Sequence, residues 1–345
     1  MRDDDLLLKT PGLEFGSGVI GVCDVCGKRQ AVIVLQKERF KLCVIDFLNK
    51  TWTSSKSKPG APLPPYRSET VTFPTDAVPS GQALALVLRP TKLVRHPGVL
   101  ITPEVYGITT SLLDAAIHFA REGFEVIVPD LGKTSLFGPT DHLGTRLSLR
   151  TKGGIVVTSP RIAKLTQYYA DALTYLRGRE MVDPEKTGIF GLSFGGSLAL
   201  AVAGLDQKLT AVAVAYPAPL SPPTALNLVT AKVYFVAGRR DKVAAASRAQ
   251  LEAVIPKQVE FESVTEVGRD FLSRDLRAYD QNRAEATWGH VVAFFKRQLM
   301  PPPPRPPVPS MKPATAPGVL PSPASTSAAA GAKPTAPVAP VVPSA

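Results

Sequence analysis

Short apolar runs alternate with helix-like segments along most of the chain, and this alternation limits the possible folds more than any other feature. In the segments between the runs, apolar side chains recur every three or four positions, as on one face of a helix. Uniformly apolar strands that alternate with helices are typical of a parallel sheet covered on both faces. The expected strands are Ala83–Leu88, Gly98–Thr102, Phe124–Val128, Thr187–Phe190, Thr210–Ala215, Lys232–Ala237 and Gln258–Ser263. The expected helices are 110–122, 161–180, 194–204, 244–254 and 280–299. The sequence therefore predicts an α/β fold with a mostly parallel sheet over residues 69–300.

The two ends of the chain differ from this middle part in composition. Residues 1–53 hold all three cysteines, and residues 54–68 are polar and rich in proline, as a linker is. The last segment, 301–345, has fifteen prolines and ten alanines but no aromatic or acidic residue. Such a segment buries too little apolar area to offset its ordering entropy, so we expect it to be disordered. The sequence therefore predicts four parts, which are a small module, a linker, the α/β domain and a disordered tail.

Most of the net charge of +11 lies outside the α/β domain. Residues 27–58 carry an excess of six positive charges and the tail carries three, whereas the much longer segment 69–300 has an excess of only four. We therefore do not expect the protein to bind nucleic acid, although the basic module offers a surface for a protein partner. No apolar run approaches the length of a membrane span, and acidic residues stand where a signal peptide needs basic ones. We expect a cytoplasmic protein without a membrane partner.

A G-x-S-x-G motif formed by Gly191, Ser193 and Gly195 lies between an expected strand and an expected helix. In that context the glycines allow a sharp turn that lifts the serine hydroxyl above the sheet as a nucleophile. The alternative is a glycine-rich turn that only packs the helix closely on the strand. An acid that would orient a triad histidine is expected after a later strand, and Asp241 stands there. Asp241 could instead cap the next helix or pair with a neighbouring arginine.

These segments resemble the dienelactone hydrolase family of α/β-hydrolases over residues 69–300. The resemblance is carried by residues 98–107, by residues 120–131 and by residues 186–196, which contain the serine motif. It implies hydrolysis of an ester or lactone bond in a small molecule, without a catalytic cofactor. Ser193 takes the place of the usual cysteine nucleophile, and Glu104 matches a family glutamate that contacts the nucleophile. The resemblance also implies an oxyanion hole formed by the backbone N–H groups of Val105 and Phe194. Glu104 has an alternative interpretation as a solvated loop acid.

The triad histidine is missing from the position where the family has it. Arg269 stands there, and arginine keeps its proton and cannot act as a general base. Of the four histidines, His96, His118 and His290 are expected away from the serine, whereas His142 lies in a loop that leaves the carboxyl end of a strand. His142 is therefore a possible substitute base, with an ordinary loop residue as the alternative.

Several outcomes remain open for a site with Arg269 in place of histidine. The site could be a weak or atypical hydrolase, or one that uses Glu104 or His142 as its base. It could also be a catalytically retired scaffold that binds a ligand or a protein and is targeted by the small module. Arg269 could hold a carboxylate with Arg146 and Arg274, or it could simply neutralise Asp241.

The small module contains an array of possible metal ligands. Cys23 and Cys26 form a C-x₂-C pair, and Cys43 and Asp46 follow after sixteen residues with the same internal spacing. Two such knuckles are typical of a zinc ribbon, and zinc accepts a carboxylate as its fourth ligand. A module of this size lacks core area, so a structural Zn²⁺ would supply stability. The alternatives are a redox-active cysteine pair or buried free thiols.

Overall fold

A computed structural model of the chain describes residues 65–102, 108–130, 150–151, 154–274 and 276–300. Near the amino terminus it describes only the backbone of five short strands. They are β1 (Leu13–Glu14), β2 (Ile20–Val22), β3 (Arg29–Ala31), β4 (Ile33–Leu35) and β5 (Phe40–Leu42). All pairings among them are antiparallel, with β4 between β1 and β5, and β2 beside β3. The predicted metal ligands, linker residues 54–64 and the tail lie outside the described residues.

Eight strands form the central sheet, in the order β16-β15-β13-β12-β8-β9-β7-β6. They are β6 (Tyr66–Pro74), β7 (Gln82–Pro90), β8 (His96–Thr102), β9 (Glu125–Pro129), β12 (Val182–Leu192), β13 (Ala211–Ala215), β15 (Lys232–Gly238) and β16 (Val259–Val264). The five pairings from β16 to β9 are parallel, whereas β7 runs antiparallel to both β9 and β6. This arrangement confirms the predicted mostly parallel sheet.

In the described part of the chain, five α-helices connect the strands. They are α1 (Thr110–Arg121), α2 (Pro160–Arg177), α3 (Ser193–Leu205), α4 (Lys242–Val254) and α5 (Gln281–Leu299). A smaller sheet joins β10 (Arg150–Thr151), β11 (Gly154–Val156) and β14 (Leu220–Ser221), and a 3₁₀ helix spans Pro223–Leu228. None of the described helices combines the length and the apolarity that crossing a bilayer requires.

Helices cover both faces of the sheet, as two glycines on neighbouring strands show. A Cβ atom on Gly98 would meet Leu176 of α2, and one on Gly188 would meet Phe295 of α5. Gly188 pairs with Val99, so Gly98 faces the opposite side of the sheet from Gly188. With helices on both faces, every residue of β8, β9 and β13 is buried. This double coverage explains why the strands are apolar throughout.

The edge strand β6 begins inside the segment that composition marks as a linker. Its residues alternate between exposed and half-buried positions, and only Phe73 is fully buried. An edge strand with one solvated face carries polar residues at alternate positions, so it lacks the continuous apolar run that identifies the inner strands. The antiparallel pairing with β7 therefore starts at Tyr66, three residues before the expected start of the domain.

Candidate active site

Ser193 lies at a tight turn between β12 and α3. Its backbone φ of 52° is in the left-handed region, which is strained for a residue other than glycine. Gly195 allows this turn because a Cβ atom there would come within 2.3 Å of the carbonyl oxygen of Thr102. The hydroxyl of Thr102 lies 2.7 Å from the carbonyl oxygen of Gly195 and so ties the turn to the neighbouring strand β8. The predicted strand–turn–helix context of the serine is therefore present.

The amino-terminal end of α3 directs backbone N–H groups toward this turn. Leu192 is the N-cap and Phe194 falls in the first turn, where N–H groups have no partner within the helix. The N–H of Phe194 is thus available to a negatively charged oxygen beside Ser193. Glu104 and Val105, the other residues predicted at this point, lie outside the described residues.

Asp241 lies in the turn that follows β15, with only 3% of its side chain exposed. Its Oδ1 accepts hydrogen bonds from the backbone N–H groups of Val243 and Ala244 at 2.9 and 3.0 Å, so the residue caps α4. The Oδ2 atom accepts a hydrogen bond from Arg269 at 3.1 Å. Asp241 therefore caps α4 and contacts Arg269 at the same time.

Arg269 bridges the acid and the serine. Its Nη1 donates to Asp241, and its Nη2 donates to the Oγ of Ser193 at 2.8 Å. The loop that carries Arg269 approaches β15 closely, because a Cβ atom on Gly238 would lie 2.3 Å from the carbonyl oxygen of Gly268. The guanidinium thus occupies the place between acid and nucleophile that a histidine occupies in a catalytic triad.

Tyr216 supports the guanidinium from one side and was not identified from the sequence. The Cζ of Arg269 lies 5.7 Å from the centre of the Tyr216 ring, a distance at which a cation is attracted to an aromatic face. Tyr216 is fully buried, has a φ of 40°, and its hydroxyl lies 3.0 Å from the Oγ of Ser273. Its position directly after the carboxyl end of β13 is the one signal that could have found it.

The three described histidines have other surroundings. His96 is buried at the start of β8, and its ring nitrogens lie 2.9 and 3.1 Å from backbone carbonyls. That end of β8 is opposite to the end at which Ser193 lies. His118 stacks on Trp288, with 6.3 Å between the ring centres, and the Nδ1 of His290 lies 3.1 Å from Glu262. His142, the possible substitute base, lies outside the described residues.

Arg274 does not join Arg269 in holding a carboxylate ligand, because it is paired with another residue. Its Nη1 donates to Asp114 of α1 at 3.1 Å. Arg146, the third arginine of that hypothesis, falls in residues 131–149, which the structure leaves undescribed. The described part of the site therefore contains one arginine bound to Ser193 and Asp241, and Arg274 is held by a different carboxylate.

Comparison with known proteins gives a consistent set of relatives. The profile of the dienelactone hydrolase family matches residues 84–299, which is more than half of the chain. The protein usf of Aquifex pyrophilus is 23% identical over 214 residues, covering 59% of this chain and 89% of that protein. A protein of Bradyrhizobium sp described as a 2-oxo-3-(5-oxofuran-2-ylidene)propanoate lactonase is 25% identical over 230 residues, covering 63% and 90%.

Solved structures share the fold at low sequence identity. The dienelactone hydrolase-like promiscuous phosphotriesterase P91, from metagenomic libraries, is 18% identical with a TM-score of 0.56, covering 68% of this chain and 98% of that one. The dienelactone hydrolase of Anabaena variabilis is also 18% identical, with a TM-score of 0.52 and coverages of 68% and 99%. At this identity the likeness shows the α/β-hydrolase fold.

Proposed function

Because this chain belongs to the dienelactone hydrolase family, we propose that it is a hydrolase that opens an ester or lactone bond of a small molecule through Ser193. Membership of the family makes the chain a hydrolase. The finer proposal is a serine nucleophile that reacts slowly at neutral pH, since Arg269 fills the place of the triad histidine. The observation that carries it is the 2.8 Å contact between the Nη2 of Arg269 and the Oγ of Ser193.

In the proposed reaction the Oγ of Ser193 attacks the carbonyl carbon of the substrate. The N–H groups of Phe194 and Val105 would stabilise the oxyanion, and Asp241 would hold Arg269 in place. Arg269 stabilises negative charge on the Oγ but takes no proton from it. The proton of Ser193 must therefore pass to hydroxide, or to Glu104 or His142 if one of these serves as a base. An oxyanion hole and binding alone still accelerate such reactions by roughly 10³–10⁴-fold over water.

The second candidate function is a catalytically retired scaffold that binds a ligand or protein. The contact between Asp241 and Arg269 favours it, because the carboxylate that would orient a triad histidine is already paired with a cation. In that case Ser193 would not react with any acyl or phosphonyl donor.

Labelling with a fluorophosphonate and hydrolysis of p-nitrophenyl acetate from pH 6 to 9 separate the two candidates. For the hydrolase we expect Ser193-dependent labelling and a rate that rises with hydroxide, without a bend near the ordinary histidine pKa of about 6.5. Arg269→His should introduce that bend and raise the rate by about 10²–10⁴-fold, the usual contribution of a general base. Arg274→His is the matched control, because it adds a histidine outside the site.

Two results would decide against the proposal. If Ser193→Ala keeps the wild-type rate, the serine is not the nucleophile. If the wild type is not labelled and Arg269→His restores labelling, the chain is a retired scaffold.

A further inference from the structure

We infer that activated acyl donors leave a long-lived acyl group on Ser193, because Arg269 assists formation of the acyl-enzyme but cannot protonate the serine oxygen during its release. This inference rests on the proposed function, and it adds the class of donor and the fate of the acyl group.

Arg269 is held in one orientation with respect to the Oγ of Ser193. Asp241 accepts from Nη1, the Tyr216 ring lies against the guanidinium, and only 18% of the arginine side chain is exposed. The Nε of Arg269 lies 3.8 Å from the Oδ1 of Asp270, an ion-pair distance, and its N–H makes no hydrogen bond within the residues that the structure describes. Nη2 is therefore the arginine donor directed at the reacting oxygen, and it supplies a hydrogen bond without transferring its proton.

Formation of the acyl-enzyme from an activated donor needs no general acid. Hydroxide removes the Ser193 proton as water, and the Oγ attacks the carbonyl carbon to form a tetrahedral intermediate. The bond to the leaving group then breaks, and the leaving group departs with the electron pair as a phenolate or thiolate. These anions are stable near neutral pH, so they leave without being protonated. The hydrogen bond from Nη2 stabilises the Oγ while it carries negative charge.

Release of the acyl group is different, because the leaving oxygen is then the Oγ itself. Hydroxide adds to the acyl carbon, and the intermediate must break its bond to the Oγ, which departs with the electron pair as an alkoxide. The alkoxide takes a proton from water afterwards. An alkoxide is a far stronger base than a phenolate or thiolate. The hydrogen bond from Nη2 stabilises this alkoxide but transfers no proton to it, whereas a triad histidine would protonate it as it leaves. Loss of that proton donor costs about 10²–10⁴-fold.

Acylation by an aryl ester or a thioester should therefore be faster than deacylation, whereas a simple alkyl ester should not acylate Ser193. The donors that fit the site are acyl compounds with a weakly basic leaving group. The acyl-enzyme that they form should accumulate before it hydrolyses.

The test mixes the full-length protein with p-nitrophenyl acetate near pH 7. We expect a rapid release of about one p-nitrophenolate per chain followed by a slow steady phase, the kinetic sign of an accumulating acyl-enzyme. Intact-mass measurement in the slow phase should show one added acetyl group, which peptide mapping places on Ser193. Arg269→His should shorten the lifetime of the acetyl group and raise the steady rate by about 10²–10⁴-fold, and Arg274→His should behave as the wild type.

The outcomes distinguish this inference from the function on which it rests. If release of p-nitrophenolate depends on Ser193 but shows neither an initial burst nor an added acetyl group, the inference is wrong and the proposed hydrolase function still stands. Release that is unchanged in Ser193→Ala would overturn both. An ethyl ester that acylates Ser193 as fast as the aryl ester would overturn the restriction to weakly basic leaving groups.

Discussion

At Arg269 a half-buried cation is shared between a carboxylate and a hydroxyl that lie far apart in the sequence. Asp241 is 28 residues away from it and Ser193 is 76 residues away. The arginine satisfies Oδ2 of an almost fully buried carboxylate, so it stabilises the fold as well as filling the place of the triad histidine. A substitution of Arg269 should therefore change both the reactivity of Ser193 and the stability of the folded protein.

Removal of the Arg269 charge should destabilise the protein measurably. In Arg269→Gln the Asp241 carboxylate keeps its two backbone N–H donors but loses its cation, and breaking a buried pair in this way costs about 2–4 kcal/mol. Arg297→Gln is the control, because its contact with Glu260 at 2.7 Å joins two half-exposed side chains and should contribute less than about 1 kcal/mol. Urea denaturation of both variants measures the difference. Equal losses would show that Asp241 does not need the guanidinium in the folded state.

Among the elements of the fold, helix α2 carries two buried tyrosines that stabilise the core through their rings and not through hydrogen bonds of their hydroxyl groups. Tyr168 and Tyr169 are fully buried, and neither hydroxyl has a hydrogen-bond partner in the part of the chain that the structure describes. Burial raises the pKa of both phenols above the ordinary value, and the charge of Asp130 raises both further. The rings stabilise the core, as the 5.3 Å separation between the Tyr168 and Phe73 ring centres indicates.

The raised pKa values predict a loss of stability in alkali. Below pH 10 the tyrosines are neutral in both the folded and the unfolded chain. Above it they ionise only in the unfolded chain, so the free energy of unfolding falls as the pH rises toward the folded-state values. Tyr169→Phe should reduce this fall and should raise stability at pH 7 by about 1 kcal/mol, because it removes a buried hydroxyl that has no partner among the described residues.

Thermal melts from pH 7 to 11 test this prediction. Tyr175→Phe on the same helix is the control at pH 7, because its hydroxyl lies 3.4 Å from the Nη1 of Arg179 and its removal loses a contact. A Tyr169→Phe variant that is less stable than the wild type at pH 7 would show that the hydroxyl has a partner in solution.

At the scale of the whole molecule, the parallel register determines where the chemistry lies. The strands β12, β13, β15 and β16 run in the same direction, so the segments after their carboxyl ends meet at one edge of the sheet. Ser193, Tyr216, Asp241 and Arg269 each follow one of these four strands. The residues of the site are thus brought together by topology although they lie far apart in the chain.

We propose that the amino-terminal module holds one structural Zn²⁺ through Cys23, Cys26, Cys43 and Asp46 and offers its basic surface to a protein partner. Metal analysis of the purified chain should give about one zinc per molecule, and Cys26→Ser should lower this value. Acylation of Ser193 should be unaffected, because the predicted ligands belong to a different module. A zinc-free chain in which all three thiols react with an alkylating reagent would contradict the proposal.

The order and type of the central helices and strands could be predicted from the sequence, because periodicity and turn chemistry are local properties. The sequence also predicted the turn at Ser193 and the position of Asp241 after a later strand, while the catalytic roles of both residues stay predictions. It missed edge strand β6, whose polar residues resemble those of a linker, and it missed Tyr216, which no motif marks. Cytoplasmic location and the boundaries of the terminal segments stay predictions.

The contacts of Arg269 became known only from the tertiary structure. The sequence left open a carboxylate ligand, a neutralising partner of Asp241 or a residue in a weak active site. The structure shows contacts with both Asp241 and Ser193, while Arg274 binds Asp114 instead. The physical reason is that these pairings depend on the strand order and on the close approach of two loops at Gly238, which no local pattern of residues encodes.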